Sequence, residues 1–192
     1  EQQKIEHAIK RVKKIQSIEQ LIQRSLEWYT FRYGMLTASD LYKAIGTPGI
    51  RRSLILKKSK PLDISNKQMS GLGKACKHGI KFEDVAIQVY EKMKNVIIED
   101  YGCIQHSEFK IFGASPDGIC SINSKNKRLI GRMLEIKCPS SRVIVEGEVP
   151  SHYWKQIQGQ LEVCKLWECD YLECKIVVIE QEEFSITNKE RG

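Results

Sequence analysis

The sequence predicts an α/β (α+β) domain in which a central β-sheet is flanked by helices, and two observations predict it. Apolar residues recur at three- and four-residue steps in the first 22 positions, again from Phe82 to Met93, and again from Tyr153 to Cys164. Between the second and third of these tracts lie short β-branched and aromatic runs separated by polar breaks, the pattern of strands and turns.

From Ile5 through Ile9, Val12, Ile15 and Ile18 to Leu21 or Ile22 the spacing predicts an amphipathic helix. Its opposite face carries Lys10, Arg11, Lys13 and Lys14, which suits a solvated surface or a polyanion contact. Ser25 is placed to cap a short helix beginning near Leu26, with Trp28 and Arg32 on one face at i and i+4. After Gly34, Thr37-Ala38-Ser39-Asp40 reads as a second helix start running to Ile45 and ended by Gly46. Residues 50–67 are basic, loosely patterned and interrupted by Pro61, which reads as a loop, either a DNA-facing lid or a solvated segment. The helix over 82–93 has Glu83 in its first turns, where a carboxylate also suits the helix dipole.

Strands follow at 96–98, 103–106, 111–114, 118–122 and 129–137, read as an antiparallel meander that ends at Pro139-Ser140-Ser141. Pro150-Ser151 introduces a helix with Gln156 and Gln160 one turn apart. A last strand spans 171–179, with Leu172, Cys174, Ile176 and Val178 on one face.

At 192 residues the chain reads as one domain, 1–192, with an N-terminal helix over 1–22 and a core over 23–180. Its 41% hydrophobic and 29% charged residues argue for a packed core rather than disorder. Thirty-one Lys and Arg against twenty-four Asp and Glu leave +7, which suits a polyanionic partner and equally suits solubility. No apolar run is long enough to span a membrane, and the first residues do not have the form of a secretion signal. The seven cysteines do not fall into paired C-x-x-C spacings, so they read as reduced, buried small hydrophobes in an intracellular compartment.

The chemistry concentrates in two places. Ser115-Pro116-Asp117-Gly118 is followed, eighteen positions after Asp117 (135 − 117), by Glu135-Ile136-Lys137. Alternation along a strand puts Glu135 and Lys137 on one face, with Leu134 and Ile136 on the other. If the Asp117 turn lies beside that strand, two carboxylates and an ammonium converge, with the Ile136 carbonyl as a further oxygen. That set suits a hard divalent cation, and Glu83 is placed to serve a second one. A solvated Glu–Lys pair, worth at most about 1 kcal/mol, is the alternative for the triplet alone. The other place is the segment where Thr37 and Ser39 open a helix facing Arg32, a combination able to hold a phosphate or merely to cap a helix.

Read together, Arg24-Ser25-x-Glu27-Trp28-x3-Arg32-x4-Thr37-Ala38-Ser39, Gly79-x3-Glu83, Ala114-Ser115-Pro116-Asp117-Gly118, Leu134-Glu135-Ile136-Lys137-Cys138-Pro139 and Gln156-x3-Gln160 resemble the lambda-exonuclease type of viral recombinase nuclease. This is the YqaJ-like branch of the PD-(D/E)XK superfamily, and the similarity covers roughly residues 20 to 180. The resemblance implies a restriction-endonuclease-like core with a central mixed β-sheet. It implies that Asp117, Glu135 and the Ile136 carbonyl are metal ligands, Glu83 a further ligand or water-holder, and Lys137 the catalytic lysine. Arg32, Thr37 and Ser39 would form a 5′-phosphate pocket, with Gln156 and Gln160 at the rim of the active site. The implied activity is Mg²⁺-dependent 5′→3′ degradation of one strand of duplex DNA from an end, with Mn²⁺ able to substitute and two ions per site. A single-strand-annealing protein and a homotrimer are the implied partners. An endonuclease on the same core and a catalytically silent DNA-binding module are the competing readings.

Overall fold

The computed structural model describes residues 2–62 and 73–177. Seven strands form two mixed sheets with helices on both sides. The first helix, α1 (Gln2–Gln16), buries Val12 and Ile15. It ends one turn earlier than the periodicity predicts, because Ile18 and Ile22 are exposed rather than packed. Among its cations, Arg11 is not a free surface charge: its guanidinium donates from Nη2 to the Cys164 carbonyl at 2.8 Å, fastening α1 to the end of a later helix.

Helix α2 (Leu26–Tyr33) begins as expected, with Ser25 Oγ accepting from the Trp28 amide at 3.2 Å. Strand β1 (Leu36–Thr37) leads into a 3₁₀ turn, Ala38–Asp40, and the short α3 (Leu41–Ala44). The predicted loop after it is instead helical: α4 (Pro48–Ser59) has Pro48 in its first turn and only Leu54 buried. One buried residue leaves almost no periodic signal, and Lys58 supplies the missing attachment. Its ammonium donates to the carbonyls of Arg32, Tyr33 and Met35, at and just beyond the end of α2. Residues 63–67 of that predicted loop lie outside the described residues.

Helix α5 (Lys74–Lys94) starts earlier than its apolar pattern, and Asn95 closes it in the left-handed conformation at φ 56°. Next come β2 (Ile98–Glu99), β3 (Ile104–Gln105), β4 (Phe112–Ala114), β5 (Gly118–Cys120) and β6 (Met133–Lys137). Lys127–Leu129 is a 3₁₀ turn, so β6 begins later than predicted. Helix α6 (Ser151–Cys164) and β7 (Cys169–Glu173) complete the described chain; residues 178 and 179 of the predicted last strand lie outside it.

The antiparallel meander is corrected in strand order only: β2–β5, β3–β4 and β5–β6 are antiparallel as expected, but β2 pairs with β5 rather than β3, and β4 does not pair with β5. The strand orders are β1-β4-β3 and β2-β5-β6-β7, with β1–β4 and β6–β7 parallel. Helix α6 crosses between β6 and β7, and such a crossover permits parallel neighbours. Alternation along β6 then sorts side chains between two cores. Met133 packs with Ile15, Ile104, Ile119 and Ile157, whereas Leu134 and Ile136 pack with Ala86, Tyr90 and Val96. Glu135 and Lys137 share the Met133 face and so point toward α6. Four cysteines are buried as expected, while Cys169 and Cys174 are partly buried and Cys76 is exposed; none of the seven forms a disulfide. Among the described residues no helix is long and apolar enough to cross a membrane.

Candidate active site

The site is built where β5 and β6 begin to separate. Gly118 pairs with Leu134, so the register carried two residues further sets Pro116 opposite Ile136. There the Ile136 amide donates to Asp117 Oδ2 at 2.6 Å, and the carboxylate takes over the ladder contact. Gly118 is required next to it: a Cβ at that position would fall 2.2 Å from Ile98 Cγ2.

Glu135 is fully buried. A carboxylate in such a place is costly unless its oxygens are satisfied, and α6 satisfies them. Gln156 donates to Oε1 at 2.6 Å and Gln160 donates to Oε2 at 2.7 Å. Lys137 donates to Glu135 Oε1 and to the Ile136 carbonyl at 2.9 Å, and its Nζ stands 3.9 Å from Asp117 Oδ2. Burial by itself would depress the lysine, but the Glu135 and Asp117 carboxylates outweigh it and hold the ammonium above its ordinary range. Burial, reinforced by Glu135, pushes the Asp117 carboxyl well above the usual carboxylate value, with Lys137 opposing.

Two carboxylates and a backbone carbonyl thus surround one cationic group. Among the described residues no three His, Cys, Asp or Glu side chains gather closely enough to hold an ion by themselves. The oxygen set around the Lys137 ammonium (Asp117, Glu135 and the Ile136 carbonyl) nonetheless has the donor chemistry of a hard divalent cation.

Glu83, on α5, faces the same cleft but is held by an ion pair, Arg24 Nη2 to Glu83 Oε2 at 3.1 Å. Burial raises its carboxyl, and Arg24 and Lys137 partly offset that. Arg24 itself sits at φ 67°, a left-handed conformation unusual for a long side chain.

The predicted phosphate-binding residues are adjacent. The Arg32 guanidinium lies over the Trp28 ring at 4.1 Å, as their i and i+4 spacing predicts, and its Nη1 donates to Ser115 Oγ at 3.3 Å. Burial lowers the Arg32 pKa from its ordinary value. Thr37 and Ser39 share a hydrogen bond of 3.0 Å between their hydroxyls, and Thr37, at the N-cap of the turn, makes no side-chain capping bond. Glu83, Asp117, Glu135, Lys137, Gln156, Gln160, Arg32, Thr37 and Ser39 all line one cavity of about 200 Å³. Ile136 lines its neighbour, about 470 Å³, which extends past Lys137 to Arg142 and Tyr153.

Three further participants carried no assigned role in the sequence. Arg24 and Ser115 lie within the quoted motifs, but their partners Glu83 and Arg32 are 59 and 83 residues away. Tyr153, read only as an apolar helix position, lies with its ring centroid 5.0 Å from Lys137 Nζ.

The fold and cleft define a class. The structure resembles that of an alkaline exonuclease (LHK-Exo) from Laribacter hongkongensis, with a TM-score of 0.63 and 23% identity, covering 87% of this chain and 88% of that one. The same enzyme's complex with dAMP gives a TM-score of 0.65 at the same identity and coverage. Residues 27–166 match the YqaJ-like viral recombinase domain, and the chain belongs to that family. Uncharacterized protein R354 of Acanthamoeba polyphaga mimivirus is 35% identical over 175 residues, 84% of this chain. The chain spans 31% of that relative's length.

Proposed function

We propose that this domain is a metal-dependent deoxyribonuclease that degrades one strand of duplex DNA 5′→3′ from an end, leaving 3′ single-stranded tails. The observation that carries the reading is the meeting of Asp117, Glu135 and Lys137 in one cleft with the Arg32–Trp28 pair. A group able to manage a scissile phosphate then lies beside a group suited to a terminal one. Family membership and the alkaline exonuclease fold support it.

Asp117, Glu135 and the Ile136 carbonyl would hold a divalent ion, Mg²⁺ or in its place Mn²⁺. A bound ion supplies Lewis acidity and a hydroxide at neutral pH. Glu83 would serve a second ion once released from Arg24. Gln156 and Gln160 fix both oxygens of Glu135 in one orientation, so no reorganisation is needed when the substrate arrives. The Lys137 ammonium, positioned by two carboxylates and the Tyr153 ring, offsets negative charge that develops on the phosphoryl oxygens. Arg32, held over the Trp28 ring, presents a fork that matches a terminal phosphate, while Thr37 and Ser39 offer hydroxyl donors. The 3′ tails are a substrate for a single-strand-annealing partner, and assembly as a trimer around DNA and action inside the cell belong to the same reading.

The test compares linear 5′-phosphorylated, linear 5′-hydroxyl and closed circular duplexes with Mg²⁺ or Mn²⁺. The 5′-phosphorylated linear form is degraded fastest and the circle survives. Cleavage of the circle at a comparable rate identifies an endonuclease instead.

A further inference from the structure

A third cavity, about 260 Å³, lies at the opposite end of β6 from the cleft. From Arg132 to Lys137 is five residues (137 − 132), roughly 16 Å along an extended strand, so the two sites are separate. Helix α1, the turn before β6 and the segment after α6 form its walls.

One wall is aromatic. His7 and Trp167 stack with ring centroids 4.3 Å apart and planes 11° from parallel, yet Trp167 remains 58% exposed. An exposed indole face is a surface on which a further aromatic ring can stack. The rim is cationic. Lys4 and Arg128 line the cavity and engage no carboxylate among the described residues. The acidic residue present, Glu168, is paired with Arg132 at 2.7 Å.

An exposed aromatic platform beside two cations that pair with no carboxylate among the described residues suits an aromatic base carrying a phosphate. We propose that this cavity is a binding site for a nucleotide unit of single-stranded nucleic acid, stacked at the His7–Trp167 pair with its phosphate held by Lys4 and Arg128. Stacking and phosphate contacts of this kind tolerate any sequence. The assignment does not depend on cleavage in the other cleft.

Binding of a short fluorescein-labelled oligothymidylate to the 192-residue chain, with EDTA to prevent cleavage, tests it by anisotropy. Trp167→Ala, and separately Lys4→Glu with Arg128→Glu, weaken binding about tenfold, while Trp167→Phe, which keeps a stacking face, retains it within about threefold. A 5-bromouracil oligonucleotide cross-links under ultraviolet light to peptides containing His7 or Trp167. Affinities of both weakened variants within about twofold of the parent, or adducts confined to the peptides of the catalytic cleft, overturn the proposal and leave the surface for a protein contact. Circular dichroism melting checks that the variants fold; all three substituted side chains are solvent-exposed.

Discussion

At the scale of single residues, the decisive feature is a fully buried Glu135 whose two oxygens are each taken by a glutamine. Replacing Gln160 by Ala removes the only donor to Oε2 among the described residues, and leaving a buried charged group unsatisfied costs at least about 1–3 kcal/mol. Thermal melting of Gln160→Ala therefore shifts downward, and a variant that melts with the parent contradicts the packing described. Under the proposed function, Lys137→Ala and Glu135→Gln act on chemistry instead. Each lowers the rate of strand degradation by at least about 100-fold, while duplex affinity, measured without metal, changes little because phosphate contacts are spread over the surface. Strong loss of binding in both variants would move these residues from catalysis to substrate capture.

Elements set where those residues meet. Strand β5 can approach β2 only because residue 118 has no side chain, with Ile98 Cγ2 just 2.2 Å from where a Cβ would stand. Gly118→Ala forces β2 or the Asp117 turn to move. Overpacking of this kind costs about 1–3 kcal/mol, and activity falls along with stability since Asp117 is the next residue. The same edge carries a pH-sensitive contact. Burial alone would raise the Glu99 carboxyl, but hydrogen bonds from Ser121, Tyr101 and Gln16 outweigh it and hold it below its ordinary value of 4.5. A depressed folded value means that the stabilisation is fully present above the ordinary value and lost as pH falls through the lowered one. Chemical denaturation of the parent thus loses more stability between about pH 6 and about pH 3 than does Glu99→Gln. Parallel pH profiles for the two proteins would show that Glu99 contributes nothing to acid lability.

For the whole molecule, +7 over 192 residues supplies a sequence-independent attraction for a polyanion. Duplex affinity falls steeply and log-linearly with salt, and the slope shrinks by roughly one for each phosphate-contacting cation removed. Salt-independent binding would assign affinity to the cleft alone. The sequence by itself determined the helices with strong apolar periodicity, α1, α5 and α6. It also determined the alternation that puts Glu135 and Lys137 on one face of β6, and the Trp28–Arg32 pairing, because these depend on local spacing. It did not show α4, which buries one residue and is held by Lys58 reaching across to α2. Nor did it show that β6 and β7 run parallel, or that Arg24 holds Glu83, 59 residues further on. Whether the three oxygens around Lys137 converge was decided only by tertiary structure. The register of β5 on β6 and the docking of α6 over them are long-range contacts, and no spacing within a single element encodes them.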